Sequence, residues 1–402
     1  MTLTINRSVA KGKISAPPSK SMAHRLLISA ALCGGKCEIS NVAFSKDIEA
    51  TVSCLNALGA ECEEKNGTVT VSGKLEPQNG AELHCGESGS TLRFMLPICL
   101  LFGKEITLSG AERLFERPLG IYEEIANREG FLFKRSKAGV TVCGKLQSGD
   151  YTVPGDVSSQ FISGLMFALS KLENNSRIIL STELKSRPYV DMTVKALAEF
   201  GVTVSEESNG FLIKGGTFLP RNMSVEGDWS NAAFLDAFNL IGGEVEVTNL
   251  KEDSLQGDKI YRGYYKLLKS GRPTLDINDC PDLGPVLISA AALLNGAVLT
   301  GTDRLKIKES DRGEAMRQEL LKMGAEIEIG DNFIKIPDCE LHSPSTALSS
   351  HNDHRIAMAL SLILTKVGGS IEGWEAVAKS YPDYFEGIAS LGIEVETVNG
   401  NQ

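Results

Sequence analysis

A polar loop that leads directly into an apolar helix recurs six times along this 402-residue chain. The loops consist mainly of Ser, Gly, Asp, Lys and Arg, and they lie roughly 70 residues apart, except for a shorter interval between the fourth and the fifth. They span residues 19–21, 86–89, 156–160, 228–231, 279–282 and 352–355. A repeat this long is a supersecondary unit of several elements. Each unit also presents the N–H groups of a helix start, which is the geometry that binds anions.

The residues after each loop predict the order helix, strand, helix, strand, strand. The first repeat shows it well, since Gly34-Gly35 ends its first helix and Asn66-Gly67 is a strong hairpin signal. The fourth repeat lacks a hairpin, and the sixth ends after one strand, which a spare strand at 3–9 could complete. Three repeats per domain therefore predict a first domain at 18–224 and a discontinuous second domain at 1–17 plus 225–402.

Charge and composition exclude several classes of function. The formal net charge of −10 argues against non-specific nucleic-acid binding, and no apolar run is long enough to span a membrane. The N-terminus has no apolar signal core, so we expect a cytoplasmic protein. The nine cysteines include no Cys-x-x-Cys pair, and His351 and His354 have no evident third partner. We therefore expect reduced thiols and no metal site.

Cations recur where helices begin. A second set of loop-to-helix junctions carries Arg117, Arg187, Lys308, Arg312 and Lys379, and the first set carries Lys20, Arg25, Arg93 and Arg355. The helix dipole disfavours a cation at such a position by a few tenths of a kcal/mol. Charge-assisted hydrogen bonds to an anionic ligand, worth roughly 1.5–3 kcal/mol each, would outweigh that penalty.

Two carboxylates stand out among these cations. Glu309 lies between Lys308 and Arg312, which are four residues apart and could share one helical face, so it could move a proton beside a bound anion. Asp282 precedes a very apolar helix, where it is either a helix N-cap or a catalytic carboxylate. The Ser158-Ser159-Gln160 segment is suited to a phosphate at a helix start.

These motifs, taken together and in order, resemble those of the 5-enolpyruvylshikimate-3-phosphate synthase family over essentially the whole chain. The motifs are Pro18-Ser19-Lys20-Ser21 with Arg25, Glu87-Ser88-Gly89-Ser90 with Arg93, Glu116-Arg117-Pro118, Ser158-Ser159-Gln160, Ser186 with Pro188-Tyr189, Pro281-Asp282, Lys306 with Lys308-Glu309-Ser310-Asp311-Arg312, Asn352-Asp353-His354-Arg355, and Lys379-Ser380 with Pro382-Asp383-Tyr384-Phe385.

The resemblance implies an α/β fold of two similar domains, each built from three βαβαββ units with helices inside and sheets outside. It also implies an active site in the cleft between the domains, no cofactor or metal, and a monomer that transfers the enolpyruvyl group of phosphoenolpyruvate to shikimate 3-phosphate. The first domain would bind mainly shikimate 3-phosphate, and the second would supply phosphoenolpyruvate and acid/base residues.

The same resemblance assigns ligands residue by residue. Shikimate 3-phosphate would contact Lys20, Ser21, Arg25, Ser158, Ser159, Gln160, Ser186, Tyr189, Asp282 and Lys308. Phosphoenolpyruvate would contact Lys20, Gly89, Arg117, Gln160, Arg312, Arg355 and Lys379. Asp282 would be the base on the 5-hydroxyl, and Glu309 with Lys20 would be the acid/base group at carbon 3 of phosphoenolpyruvate.

Two residues depart from the family pattern, and two other functions remain open. Glu87 and Arg304 each stand where many or some members carry Asn. The sister transferase acting on UDP-N-acetylglucosamine usually carries a Cys before the Arg-Pro pair, whereas residues 110–118 contain none. A non-catalytic repeat protein that binds phosphorylated ligands would keep the anion-binding loops but would not need Asp282 and Glu309.

Overall fold

The computed structural model describes residues 2–216 and 218–398 of the chain. The helices are α1 (Lys20–Cys33), α2 (Lys46–Ala57), α3 (Gly89–Cys99), α4 (Glu112–Glu116), α5 (Gly120–Glu129), α6 (Ser159–Ser170), α7 (Arg187–Glu199), α8 (Trp229–Asp236), α9 (Tyr261–Ser270), α10 (Gly284–Leu293), α11 (Arg312–Leu321), α12 (His354–Val367) and α13 (Tyr384–Ser390). The strands are β1 (Thr2–Ile5), β2 (Lys11–Ser15), β3 (Cys37–Ser40), β4 (Glu61–Lys65), β5 (Thr68–Ser72), β6 (Ala81–His84), β7 (Ile106–Ser109), β8 (Leu132–Arg135), β9 (Gly139–Cys143), β10 (Asp150–Val153), β11 (Ser176–Leu180), β12 (Val204–Glu207), β13 (Gly210–Ile213), β14 (Met223–Ser224), β15 (Glu244–Thr248), β16 (Thr274–Asp276), β17 (Ala297–Thr300), β18 (Glu328–Ile329), β19 (Phe333–Ile336), β20 (Leu348–Ser349), β21 (Gly369–Glu372) and β22 (Val395–Val398).

The chain forms two compact units. The contiguous unit is Pro18–Glu226, and the split unit combines Met1–Pro17 with Gly227–Gln402. The sequence placed the end of the first domain at residue 224, and the contiguous unit ends at Glu226. In the part of the chain that the structure describes, no helix has both the length and the apolar character needed to cross a bilayer.

The contiguous unit contains three four-stranded sheets of one topology. Their strand orders are β14-β3-β5-β4, β6-β7-β9-β8 and β10-β11-β13-β12. In each sheet the first pair of strands is parallel and the remaining pairs are antiparallel. Buried and more exposed residues alternate along β5 and β7, as expected for sheets with one face on the core.

Three helices form the interior of the contiguous unit. All residues from Met22 to Leu32 of α1 are buried, and α3 and α6 are buried almost as completely. A helix that is buried on all sides must be enclosed by other elements. The sheets and the amphipathic helices α2 and α7 enclose these three helices. In the split unit α10 and α12 are buried in the same way.

The split unit contains two four-stranded sheets, β16-β17-β19-β18 and β20-β21-β1-β22, and a two-stranded sheet, β15-β2. Strand β1 lies between β21 and β22 and is antiparallel to both, in the place that the sixth repeat leaves open. The fourth repeat has no hairpin between α9 and β16, and its strand β15 pairs with β2 instead.

The α/β fold class is confirmed, and the residue-level order of elements needs one correction. The local pattern predicted the order helix, strand, helix, strand, strand for each repeat. In the structure a short strand precedes the first helix of four repeats; these strands are β6, β10, β16 and β20. The first repeat obtains its extra strand from β14, which follows the third repeat in sequence. These strands have two to four residues, too few for a periodic pattern to be visible.

Candidate active site

The inner helices of the contiguous unit begin at capped serines. Ser19, Ser88 and Ser158 are the N-cap residues of α1, α3 and α6, and each hydroxyl accepts a hydrogen bond from a backbone N–H of the following turn. A cap satisfies only part of the four N–H groups that a helix start leaves without intrahelical partners. The other N–H groups, near Ser21, Gly89 and Ser159, can therefore contribute to anion binding.

Lys20 is the first residue of α1 and forms an ion pair with Asp47 in the first turn of α2. The Nζ–Oδ2 distance is 2.7 Å, and the two side chains are 14% and 12% exposed. Asp47 gave no functional signal in the sequence, yet it directly neutralises a predicted ligand-binding and catalytic lysine. An anionic ligand at Lys20 would compete with this carboxylate.

Arg25 contacts two other residues expected at shikimate 3-phosphate, Ser21 and Tyr189, and also Thr193. Its Nη1 donates to the backbone carbonyl of Ser21 at 2.6 Å and its Nη2 to that of Tyr189 at 2.8 Å, while Nε donates to the Thr193 hydroxyl at 2.8 Å. Burial lowers the pKa of Arg25 to about 10, so the guanidinium remains charged at neutral pH. Ser186 occupies the position before the first residue of α7 and has a left-handed backbone conformation, with φ of 54°.

Arg93 organises the second group of polar residues in the contiguous unit. We call Ser90, Arg93, Arg117, Pro118 and Gln160 the Arg93 cluster. Arg93 Nη1 donates to Oε1 of Gln160 at 2.8 Å and Nη2 donates to the carbonyl of Pro118 at 3.1 Å. Gln160 Nε2 in turn donates to the Ser90 hydroxyl at 2.9 Å. The cluster thus links α3, α6 and the Arg-Pro segment, and it brings predicted phosphoenolpyruvate ligands together.

Gly89 and Arg117 are in close contact. A Cβ atom on Gly89 would lie 2.8 Å from Cζ of Arg117, closer than real Cβ contacts. Arg117 itself is only 7% exposed. The absence of a side chain at residue 89 therefore allows the guanidinium to lie against the start of α3.

In the split unit Arg312 contacts three carboxylates. Its Nε lies 2.8 Å from Oδ2 of Asp353, its Nη1 2.8 Å from Oδ1 of Asp282 and its Nη2 2.8 Å from Oε2 of Glu309. The side chain is 1% exposed. Burial alone would lower the pKa of Arg312, but the three carboxylates outweigh it and raise that pKa. We call Asp282, Lys308, Glu309, Arg312, Asp353 and Arg355 the Arg312 cluster.

Asp282 contacts three cations. Its carboxylate lies 2.8 Å from Arg312 Nη1, 3.2 Å from Lys308 Nζ and 3.0 Å from Arg355 Nη2. Burial by itself would raise the pKa of Asp282, but these cations hold that pKa well below its usual range. The N-cap of α10 is Leu283 and not Asp282, so the alternative reading of Asp282 as the cap of that helix is wrong.

Arg355 and Lys379 lie beside this carboxylate network. Asp353 is the N-cap of α12 and accepts from the backbone N–H of Arg355 at 2.9 Å. Arg355 Nη1 donates to the Ser230 hydroxyl at 2.6 Å, and Lys379 Nζ donates to the carbonyl of Asn352 at 2.5 Å. Both cations are largely buried. Arg355 is thus held against Asp282, and Lys379 is held against the residue that precedes Asp353.

Three findings differ from the sequence reading or were absent from it. Lys308 and Arg312 do not share a helical face, because α11 begins at Arg312, yet both reach Oδ1 of Asp282. Ser230 in the fourth loop had no assigned contact, although its position in the repeat was a usable signal. Arg304 is buried and donates from Nη2 to the carbonyl of Asn278 at 2.5 Å.

The split unit places three cations beside two carboxylates, an arrangement that could bind an anion and move a proton next to it. Lys308, Arg312 and Arg355 are cations at helix starts or loops, and the carboxylates of Asp282 and Glu309 both contact the guanidinium of Arg312. Burial lowers the pKa of Lys308, while the charge of Asp282 opposes part of that shift. The described residues contain no group of three or more His, Cys, Asp or Glu placed to hold a metal ion.

Comparison with known proteins gives concordant results. The sequence profile described as EPSP synthase (3-phosphoshikimate 1-carboxyvinyltransferase) matches residues 6–388. The 3-phosphoshikimate 1-carboxyvinyltransferase of Clostridium kluyveri is 40% identical, covering 98% of this chain and 98% of its own, and that of Clostridioides difficile is 37% identical, covering 99% of each.

Solved structures show the same fold. An EPSP synthase from Acinetobacter baumannii matches 98% of this chain and 100% of its own with a TM-score of 0.78 at 24% identity. The enolpyruvyl transferase NikO from Streptomyces tendae matches 98% of each chain with a TM-score of 0.79 at 15% identity.

Proposed function

Because this chain belongs to the EPSP synthase family, we propose that its Arg93 and Arg312 clusters bind the two substrates of that family's reaction and catalyse it. The chain is a transferase of the shikimate pathway to chorismate and aromatic amino acids. It transfers the enolpyruvyl group of phosphoenolpyruvate to the 5-hydroxyl of shikimate 3-phosphate and releases inorganic phosphate.

In the proposal, shikimate 3-phosphate binds mainly to the contiguous unit. Its phosphate would bind the hydroxyls and N–H groups at the starts of α6 and α7. Its ring hydroxyls and its carboxylate would bind Arg25 and the residues that contact Arg25. The residues are Lys20, Ser21, Arg25, Ser158, Ser159, Gln160, Ser186 and Tyr189, with Asp282 and Lys308 of the split unit. The support is that Arg25 already holds Ser21 and Tyr189 within 2.8 Å.

Phosphoenolpyruvate carries two anionic groups, and we propose that they bind the cations identified by the sequence motifs. The residues are Lys20, Gly89, Arg117, Gln160, Arg312, Arg355 and Lys379. Charge-assisted hydrogen bonds from guanidinium groups to carboxylate or phosphate are the strongest that side chains offer. Arg312 and Arg355 both contact Asp282, so an anionic group of the substrate would compete with that carboxylate for the two guanidinium groups.

The chemistry is an addition followed by an elimination. Protonation of carbon 3 of phosphoenolpyruvate makes carbon 2 electrophilic, and the 5-hydroxyl attacks carbon 2 as its proton leaves. The product is a tetrahedral ketal phosphate. Loss of a proton from carbon 3 then expels inorganic phosphate and restores the enol ether. We assign the 5-hydroxyl proton to Asp282 and the carbon 3 proton to Glu309, with Lys20 beside it, each group contributing roughly 10²–10⁴-fold to the rate.

Substrate binding would also prepare Asp282 for proton transfer. While Arg355, Lys308 and Arg312 contact its carboxylate, the lowered pKa makes it a weak base. Anionic groups of phosphoenolpyruvate compete for the two guanidinium groups, and the pKa of Asp282 rises as those contacts weaken. The base becomes effective when the substrate is present.

The observation that carries the proposal is the contact of one guanidinium with both proposed proton-transfer groups. Arg312 lies 2.8 Å from Asp282 and 2.8 Å from Glu309. A protein that only bound phosphorylated ligands would gain nothing from carboxylates placed in its anion site, because they repel the ligand.

The test is release of inorganic phosphate from purified protein supplied with the substrates singly and together. We expect release only when shikimate 3-phosphate and phosphoenolpyruvate are both present, and a large loss of turnover in Glu309→Gln. Release from phosphoenolpyruvate alone, or release dependent on UDP-N-acetylglucosamine, would overturn the proposal. Near-native turnover of Glu309→Gln would remove the acid/base role of that residue.

We further propose that the protein acts as a monomer in the cytoplasm. The support for a monomer is that all the residues we assign to the two substrates belong to one chain. The nine cysteines are free thiols, which is typical of proteins in a reducing compartment.

A further inference from the structure

Helix α11 is attached to the segment 349–355 at two points. The first is the contact of Arg312, at the start of the helix, with Asp353. The second lies two turns later at Glu319, whose side chain is 1% exposed. Glu319 Oε2 accepts from the backbone N–H of Ser349 at 2.9 Å, and Oε1 lies 2.8 Å from Nε2 of His351.

We infer that Glu319 is a positioning residue for the phosphoenolpyruvate site, acting through the segment 349–355. This inference rests on the proposed function, since Arg312, Arg355 and Lys379 are the residues assigned to phosphoenolpyruvate in the split unit. Glu319 itself touches none of the atoms assigned to substrate. It fixes the backbone from which Asn352, Asp353 and Arg355 extend.

The backbone of this segment has an unfavourable conformation that needs support. His351 and Asn352 are consecutive non-glycine residues with φ of 50° and 53°. Side chains rarely adopt this left-handed region, and such strain persists only where surrounding contacts enforce it. The Glu319 carboxylate contacts this turn at two places. It accepts from the backbone N–H of Ser349, which precedes the turn, and it contacts the side chain of His351, the first of the two strained residues.

The strained turn has a direct consequence for the anion site. It directs the carbonyl of Asn352 to Lys379 Nζ at 2.5 Å and places Asp353 at the start of α12 against Arg312. If the turn relaxed, Lys379 and Arg312 would each lose a partner that sets its position. A displacement of the segment would therefore be transmitted to two of the three cations that the split unit offers to phosphoenolpyruvate.

The hold that Glu319 exerts is electrostatic. Burial raises the pKa of Glu319, but hydrogen bonds from His351, Lys322 and the N–H of Ser349 outweigh it, so the net shift of that pKa is downward. The carboxylate is thus ionised at neutral pH. Hydrogen bonds to an ionised acceptor are about twice as strong as neutral ones, so a neutral amide would hold the turn less firmly.

The chain offers two matched controls. Lys322 contacts Glu319 Oε2 at 2.7 Å, but it follows the last residue of α11, is 35% exposed and is not part of the segment 349–355. Glu314 is on the same helix, 38% exposed, and pairs with Arg317. Lys322→Met removes a charge from the pair without touching the turn, and Glu314→Gln removes a carboxylate from the helix surface.

The experiment measures KM for each substrate, kcat and the melting temperature of Glu319→Gln, His351→Leu, Lys322→Met and Glu314→Gln. We expect Glu319→Gln and His351→Leu to raise the KM for phosphoenolpyruvate about tenfold or more, the scale of a lost charge-assisted hydrogen bond. The KM for shikimate 3-phosphate should change less than about threefold in all four variants, because its proposed ligands lie mainly elsewhere. If Glu319 had only a structural role, its substitution would lower the melting temperature. The two KM values would then either rise by the same factor or both stay unchanged.

Equal KM values in Glu319→Gln and Lys322→Met would overturn the inference, as would a parallel rise for both substrates. If Glu319→Gln does not fold, His351→Leu decides the question in the same way. Calorimetric titration with inorganic phosphate separates the inference from the proposed function. A wild-type protein without turnover refutes the function, whereas phosphate affinity that is equal in Glu319→Gln and Lys322→Met refutes the positioning role whether or not turnover occurs.

Discussion

Substitution of Asp282 by Asn should lower the free energy of unfolding of the split unit and, at the same time, increase its affinity for inorganic phosphate. The carboxylate is 16% exposed and contacts Arg312, Lys308 and Arg355 at 2.8, 3.2 and 3.0 Å. Charge-assisted contacts contribute roughly 1.5–3 kcal/mol each, and a neutral amide retains about half of that. The expected loss is about 3 kcal/mol, within the range for breaking a buried ion pair.

Melting temperatures give the first readout of this prediction. A loss of that size should lower the melting temperature by about 6–12 °C for a unit of this length. Glu314→Gln, which removes an exposed carboxylate from α11, is the control and should cost less than about 1 kcal/mol. Turnover of Asp282→Asn should fall by roughly 10²–10⁴-fold if Asp282 is the base on the 5-hydroxyl.

Phosphate gives the second and more specific readout. In Asp282→Asn the three cations lose the one carboxylate that they share, although Arg312 keeps Glu309 and Asp353. Phosphate no longer competes with Asp282 and should bind about tenfold more tightly. Phosphate at 100 times its dissociation constant should restore about 2.7 kcal/mol, nearly the whole loss. Equal stabilisation of the variant and the wild-type protein by phosphate, or a melting temperature within about 2 °C of wild type, would refute the reasoning.

The stability that Asp282 contributes should depend on pH in a defined direction. The cations hold the pKa of Asp282 well below its usual range, although burial opposes them. The stability it contributes is therefore present above the unfolded pKa of about 4 and is lost as the pH falls through the lowered folded pKa. The difference in melting temperature between wild type and Asp282→Asn should shrink over that acidic window.

Three further predictions concern the contiguous unit. Gly89→Ala should raise the KM for phosphoenolpyruvate in steady-state assays, because the new Cβ would displace the guanidinium of Arg117; an unchanged KM would count against Arg117 as a ligand. Arg93→Met should raise the KM for both substrates by roughly tenfold, because Gln160 loses its buried donor; unchanged values would show that Gln160 needs no such support. Burial, Lys20 and Arg25 hold the pKa of His24 well below its usual value, so the stability of the wild-type protein should be full above about pH 6.5 and fall at lower pH, and thermal melts of His24→Leu should show a shallower decline.

The fold was largely predictable because its repeat is long and its inner helices are apolar on every side. Asn66-Gly67 marked a hairpin, and β4 and β5 flank it as expected. The strands that the local pattern missed, such as β6 and β10, are short and gain their partners through parallel pairing with a later strand. Their role depends on tertiary contacts, so a window of local sequence contains too little information to identify them.

The sequence predicted the cations of the candidate site better than it predicted their hydrogen-bond and ion-pair partners. Motifs located Arg312 and Arg355, and the structure brings both to Asp282. Asp47 and Ser230 were not assigned, because an ion pair or hydrogen bond between residues distant in sequence has no local signature. The helical face proposed for Lys308 and Arg312 failed because the residues from 303 to 307 form a separate 3₁₀ turn and α11 begins later.

The central position of β1 determines when each unit can form during synthesis. The contiguous unit is one uninterrupted stretch of chain, so all its strands have left the ribosome before the second half of the split unit is made. Strand β1 is made first but is hydrogen-bonded on both sides by β21 and β22, which are made last. For almost the whole of translation the residues of β1 must therefore wait without their final partners. Pairing of β1 with β22 also joins residues roughly 400 positions apart in sequence, so it closes a very long loop, which is entropically costly and slow to form.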